Sequence, residues 1–167
     1  MSDPQIGTVE EIAKKISAEI DRRERQSHTI RELLTERQEV LVAMCSLAEL
    51  ESLESNFSST IESLKAFSQA LVDYSALGHF EIYERIIDGK ERRGNVKKVA
   101  TSVYPVISKT TQQFVEFNDK YDGGDDKESL TNLYTDLSLI GESMADRIEA
   151  EDQLLHEMNE AALAKSS

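Results

Sequence analysis

Leu71-Val-Asp-Tyr-Ser-Ala-Leu-Gly-His-Phe-Glu-Ile-Tyr-Glu-Arg85 is the stretch on which the reading of the whole chain turns. Leu71, Tyr74, Phe80 and Tyr83 form a buried-side row at helical spacing, with the acids Asp73, Glu81 and Glu84 beside it. Gly78 divides the row. Glycine takes the left-handed C-terminal conformation at no steric cost, so Gly78 is the natural stop of one helix. Phe80, Tyr83 and Ile86/Ile87 then start a second, short helix that ends at Asp88-Gly89. The stretch therefore predicts a rigid corner between two helices, and such corners make docking surfaces.

Working upstream, Ile61, Leu64, Phe67, Leu71 and Tyr74 make one clean apolar stripe. Ser59-Thr60-Ile61-Glu62 has the form of a capping box, a hydroxyl residue followed by Glu three positions on. Before it, Glu49 to Ser59 is rich in Glu and Ser and predicts a loop. A helix over 28–48 is predicted by Ile30, Leu33, Leu34, Leu41, Met44 and Ala48, with Arg37 interrupting its inner face. Another helix is predicted to open at the capping box Thr8-Val9-Glu10-Glu11, carry Val9, Ile12, Ala13, Ile16 and Ile20, and fade in the charged run Asp21 to Arg25. Residues 1–7 read as a flexible leader without an apolar signal core.

Working downstream, Lys90 to Lys109 is the one basic segment, six bases against Glu91 for a local charge of +5. Val96, Val99, Ala100 and Val103 are helical in spacing. Pro105 lacks an amide donor and predicts a kink or restart near Tyr104. Val106, Ile107, Thr110, Phe114, Phe117 and Tyr121 continue the pattern, and Asp122-Gly123-Gly124-Asp125 predicts a turn. Asp125 is then expected to cap a last long helix with Leu130, Leu133, Leu137, Ile140, Met144, Ile148, Leu154 or Leu155, and Met158. Between 125 and 160 there are eleven acids and two bases, a local charge of −9. The tail over 161–167 is expected to fray.

Together these segments predict an all-α protein, an antiparallel up-and-down bundle of about five to six helices. A single helical domain is expected over 8–160. At 167 residues the chain is long enough to bury a real core without disulfide or metal. Its one cysteine, Cys45, lies among Leu41, Val42, Met44 and Leu47 and predicts a buried thiol. That usage fits a reducing, cytoplasmic setting. No run approaches the roughly 20 apolar residues of a membrane span. The formal charge of −13 argues against direct nucleic-acid binding, which relies on Lys and Arg against phosphate, and favours a basic protein partner.

The usual catalytic sets do not appear. There is no glycine-rich phosphate loop and no Gly-x-Ser-x-Gly elbow. A di-iron bundle needs Glu-x-x-His, but Arg25, Ala76 and Gln153 stand three residues before His28, His79 and His156. Asp152 and His156 share a helix face, and one such pair makes no metal site. The sequence thus predicts no enzyme, no cofactor and no metal, and an interaction protein is left.

The corner adds a partner. Leu71-Val-Asp-Tyr, Gly78-His-Phe and Ile82-Tyr-Glu-Arg resemble, at the same spacing, the signature of the Rsd/AlgQ family, bacterial regulators of the primary sigma factor. Tyr104-Pro105, Thr111-Gln-Gln, Leu137-Ser138, Ile140-Gly-Glu142, Arg147 and Glu151-Asp152 follow the family pattern as well, so the resemblance runs from about Ile30 to Leu155. It departs early: Leu33 or Leu34 stands where the family usually has tryptophan. The resemblance implies an anti-sigma factor that binds the C-terminal, promoter-reading domain of the primary sigma factor, one to one, and blocks its use by RNA polymerase. It also implies Asp73 as the contacting carboxylate, with Leu77, His79, Phe80 and Glu84 as further partner-binding candidates. Two alternatives stand beside it. One is a regulatory protein for another partner, such as a nucleotide-signalling enzyme or a phosphocarrier; the other is a metal-binding bundle.

Overall fold

The computed structural model describes residues 8–52, 57–83, 86, 93–123 and 128–166, without the side chains of Ser52, Phe80, Glu81, Glu128 and 162–166. Four long α-helices account for most of them: α1 (Val9–Ser52), α2 (Phe57–Ala76), α3 (Gly94–Tyr121) and α4 (Leu133–Ser166). A π-helical segment, Leu77–Tyr83, continues α2, and a 3-10 turn, Glu128–Leu130, precedes α4.

Four α-helices replace the expected five to six because predicted breaks do not occur. The charged run Asp21 to Arg25 does not end a helix; α1 passes through it as one element of 44 residues. Glu and Arg are good helix formers, and no Gly or Pro interrupts the span. Glu19 pairs with Arg22 at 2.6 Å and with Arg23 at 3.4 Å, so the run is a solvated helix face. The cap at Thr8 holds: its Oγ1 accepts from the Glu11 amide at 3.2 Å. The Glu49 to Ser59 loop shrinks, since α1 reaches Ser52 and α2 starts at Phe57, which puts Ser59-Glu62 inside α2. Residues 53–56 lie outside the described residues, as do the leader 1–7, Asp88-Gly89, the first three residues (90–92) of the basic segment, and the expected cap Asp125.

Gly78 is not a helix stop. Gly123, at φ 74°, is the described glycine with positive φ, in the turn the sequence predicts. Gly78 lies within the π-helical segment, and its reason is close approach. A Cβ there would meet Arg147 Nη2 at 3.0 Å, Leu33 Cδ1 at 3.4 Å and Glu151 Oε2 at 3.5 Å. α3 likewise runs unbroken through Pro105, whose side chain is exposed. Cys45 is exposed rather than buried, because Met44 and Leu47 take the inward positions of that turn.

Cross-contacts give the helix directions. Lys120 meets Asp136, Gln113 meets Ser143, and Thr110 meets Arg147, so α3 and α4 run in opposite directions. Arg37 meets Asp152 and Met44 lies beside Gly141, which sets α4 against α1 in the same sense. Phe67 of α2 packs edge-on against Phe117 of α3, with ring centroids 5.6 Å apart. The core between the helices holds Leu33, Val40, Leu47, Leu64, Leu71, Ile107, Phe114, Leu133, Met144 and Leu154, all nearly inaccessible to water. Burying each such side chain stabilises the fold by roughly 1.5–3 kcal/mol before entropy is counted. The first turns of α1 stay outside this core: Val9 is 85% exposed, Ile12 43%, Ile16 56% and Ile20 49%.

Candidate functional site

Asp73 is exposed on the last full turn of α2, where the inward positions Leu71, Tyr74 and Ser75 leave it on the outer flank. Gln69, one turn earlier, donates its Nε2 to Asp73 Oδ1 at 2.9 Å. Across the α1–α2 seam stand Glu32, Glu36 and Glu39. Glu36 is half-buried, and its Oε2 is shielded from water with no hydrogen-bond partner among the described residues. Burial raises the Glu36 carboxyl above its ordinary range, and the charges of Glu32, Asp73 and Glu39 raise it further. Four carboxylates from two helices therefore share one patch, and their mutual repulsion is already felt by Glu36. A positive charge seated there would relieve it.

The other expected site residues are placed differently. Leu77 is partly buried and packs on the core. His79 is half-buried, with its ring 6.1 Å from that of Tyr104 on α3. Asp73 thus faces the acids of α1, while His79 turns towards α3. Phe80 has its backbone in the π-helical segment and its side chain outside the described set, and Glu84 lies outside the described residues altogether.

Beneath Asp73 lies a charged cluster that the sequence reading did not place in the core. Arg147 and Glu151 of α4 are both fully buried, with Arg147 Nε 3.5 Å from Glu151 Oε2. Arg147 Nη1 donates to Thr111 Oγ1 at 2.8 Å, Thr110 Oγ1 at 3.1 Å and the Ile107 carbonyl at 3.2 Å. Its guanidinium carbon also lies 5.2 Å from the Tyr74 ring centroid and 5.5 Å from that of Phe114. The Tyr74 hydroxyl donates to Glu151 Oε1. Arg37, the inner-face interruption of α1, pairs with Asp152 at 2.9 Å and with Glu151 at 3.6 Å. Burial pushes the Glu151 carboxyl up, opposed by Arg147, the Tyr74 hydroxyl and Arg37. Burial likewise pushes the Tyr74 and Tyr83 phenols far up, so both stay protonated.

One signal could have found this cluster. Ile140, Met144, Arg147, Glu151, Leu154 and Met158 alternate in steps of three and four, the core seam of a helix. Two charges in an unbroken seam, four residues apart and of opposite sign, must pair there or leave a buried charge alone.

Among the described residues, no group of three or more His, Cys, Asp and Glu side chains could hold a metal ion. No described helix is long and apolar enough to cross a membrane. A long open groove lies on the other side of the bundle, between α3 and α4, lined by Val106, Lys109, Gln113, Leu139 and Asp146 among others.

Comparison with known proteins adds the following. The family described as regulator of RNA polymerase sigma(70) subunit, Rsd/AlgQ, matches residues 12–159. A regulator of sigma D from Yersinia enterocolitica is 36% identical over 122 residues, covering 71% of this chain and 73% of the relative. The regulator of sigma D from Enterobacter sp. strain 638 is 35% identical over 122 residues, covering 71% and 73%. That of Yersinia pseudotuberculosis serotype O:1b is 34% identical, covering 71% and 72%. No solved structure matches.

Proposed function

The chain belongs to the Rsd/AlgQ family, regulators of the RNA polymerase sigma(70) subunit, and from that premise we propose how it acts: as a non-enzymatic anti-sigma factor that binds the C-terminal, promoter-reading domain of the primary sigma factor. The observation that carries this reading is the α1–α2 patch of Glu32, Glu36, Glu39 and Asp73, where a half-buried carboxylate oxygen has no hydrogen-bond partner among the described residues. A basic domain supplies a counter-charge. Complementary potentials speed the encounter and select the partner, and the partner's cations relieve the repulsion at Glu36. Asp73 is the central contact, and Leu77, His79, Phe80 and Glu84 are the further partner-binding candidates. One copy binds one sigma in the cytoplasm and withdraws it from polymerase by mass action. The bundle over 8–160 acts as one unit.

The test is co-elution at low salt. Mixed with full-length primary sigma, the chain is expected to run as a 1:1 complex. Mixed with sigma lacking its C-terminal domain, it runs alone. Co-elution with the truncated sigma would refute the domain assignment, and failure with both would refute sigma binding.

A further inference from the structure

Asp73 is followed directly by Tyr74, whose hydroxyl is tied to Glu151, and four residues on by the start of the π-helical segment. π-Turns are rare and occur mostly as single turns within α-helices, often at functional sites. This one has a local cause. Tyr74 and Tyr83 are about two and a half α-turns apart, which in an unbroken α-helix puts them on opposite faces. Both are nonetheless buried, at 0% and 1% exposure. The π-turn takes in an extra residue and so swings Tyr83 back towards the core. Between the two tyrosines, the bare backbone of Gly78 lies against Arg147 and Glu151, so close that a methyl would come within 3.0 Å of Arg147 Nη2. Arg147 itself is fixed from α3 by Thr110 and Thr111. Arg147 Nη2 and Nε and Glu151 Oε2 have no hydrogen bond among the described residues. The hydrogen bonds of the pair thus run to α3 and to Tyr74, while the atoms facing Gly78 meet it by packing alone, so the pair senses the register of the segment lying on it.

We propose that Arg147 and Glu151 are positioning residues for partner recognition: buried under Gly78, they set the register of Leu77–Tyr83 and, through Tyr74, the presentation of Asp73. The inference rests on the Asp73 surface as the docking site, and it assigns a recognition role to side chains that no partner can touch. A merely structural ion pair would stabilise the whole bundle evenly. A positioning pair acts on one segment.

The experiment has two arms, amide hydrogen exchange and affinity for the sigma C-terminal domain, run on the full chain. Gly78→Ala is expected to speed exchange across Leu77–Tyr83, to leave α3 protected, and to weaken binding about tenfold. In an Arg147→Lys background, where Nη2 is gone, the same methyl should cost clearly less, a non-additive cycle. Glu151→Gln keeps an acceptor for Tyr74 and serves if Gly78→Ala does not fold; it too should loosen Leu77–Tyr83 first. Additive effects, or exchange that rises evenly over all helices, would overturn the proposal. If the wild-type chain does not bind sigma at all, the docking reading falls, and the exchange arm still decides whether the pair sets the π-turn.

Discussion

Asp73 and Glu36 carry opposite messages at the residue scale. Asp73 is exposed and contributes little to the fold, so Asp73→Ala is expected to leave helicity and melting unchanged while weakening sigma binding about tenfold or more, read by calorimetry and circular dichroism. Glu36 is different, because burial and three neighbouring acids raise its carboxyl. The folded chain then holds that proton more tightly than the unfolded chain. The stability contribution is fully present below the unfolded value and is lost as pH rises through the raised one. Glu36→Gln should therefore melt higher than wild type at pH 7, with the gap closing as pH falls below the carboxylate range. Arg147→Ala should cost about 3–5 kcal/mol in a denaturant titration, because it takes from the buried Glu151 its fully buried counter-charge and leaves only Arg37 and the Tyr74 hydroxyl beside it. Asp73 was legible in the sequence through its flank position and the motif around it. Glu36 was only partly legible: Glu32 and Glu39 stand one turn away in the sequence, but the burial that raises it most and the charge of Asp73 come from packing against another helix. The buried pair was half legible: the seam positions are in the sequence, but what fills the space opposite them is not.

At the scale of elements, the sequence showed where helices lie better than where they end. Apolar spacing placed α2, α3 and α4 on the right residues. The expected breaks failed because each was inferred from residues that disfavour a helix only without support. Asp21 to Arg25 is supported by its own ion pairs, and Gly78 by the α4 side chains that need its bare backbone. Pro105 persists in α3 at the loss of one backbone hydrogen bond. Pro105→Ala is thus expected to stabilise the chain by about 1–2 kcal/mol, once the greater freedom of the unfolded chain is deducted, as read by denaturant unfolding. The overhang of α1 gives a second expectation. Since Val9, Ile12, Ile16 and Ile20 lie outside the core, removing residues 2–20 should shift the melting temperature by no more than about 2 °C.

For the molecule as a whole, the proposed function rests on how the bundle distributes charge. With a formal charge of −13, the chain carries a field that draws basic partners from a distance. Composition alone could not say which face they meet. The structure adds a face on which carboxylates from α1 and α2 crowd one another, over a buried cluster that ties all four helices together. In the proposed reading the fold provides stiffness and the patch provides selection. The central claim is that sigma docks by charge on the Asp73 surface. Its most direct measurement is calorimetric titration of the isolated sigma C-terminal domain into the wild-type chain and into Asp73→Ala, at several salt concentrations. The account predicts a 1:1 complex that weakens steadily with salt, with a lower affinity and a shallower salt dependence for Asp73→Ala. Equal affinities for the two chains, or binding indifferent to salt, would contradict it.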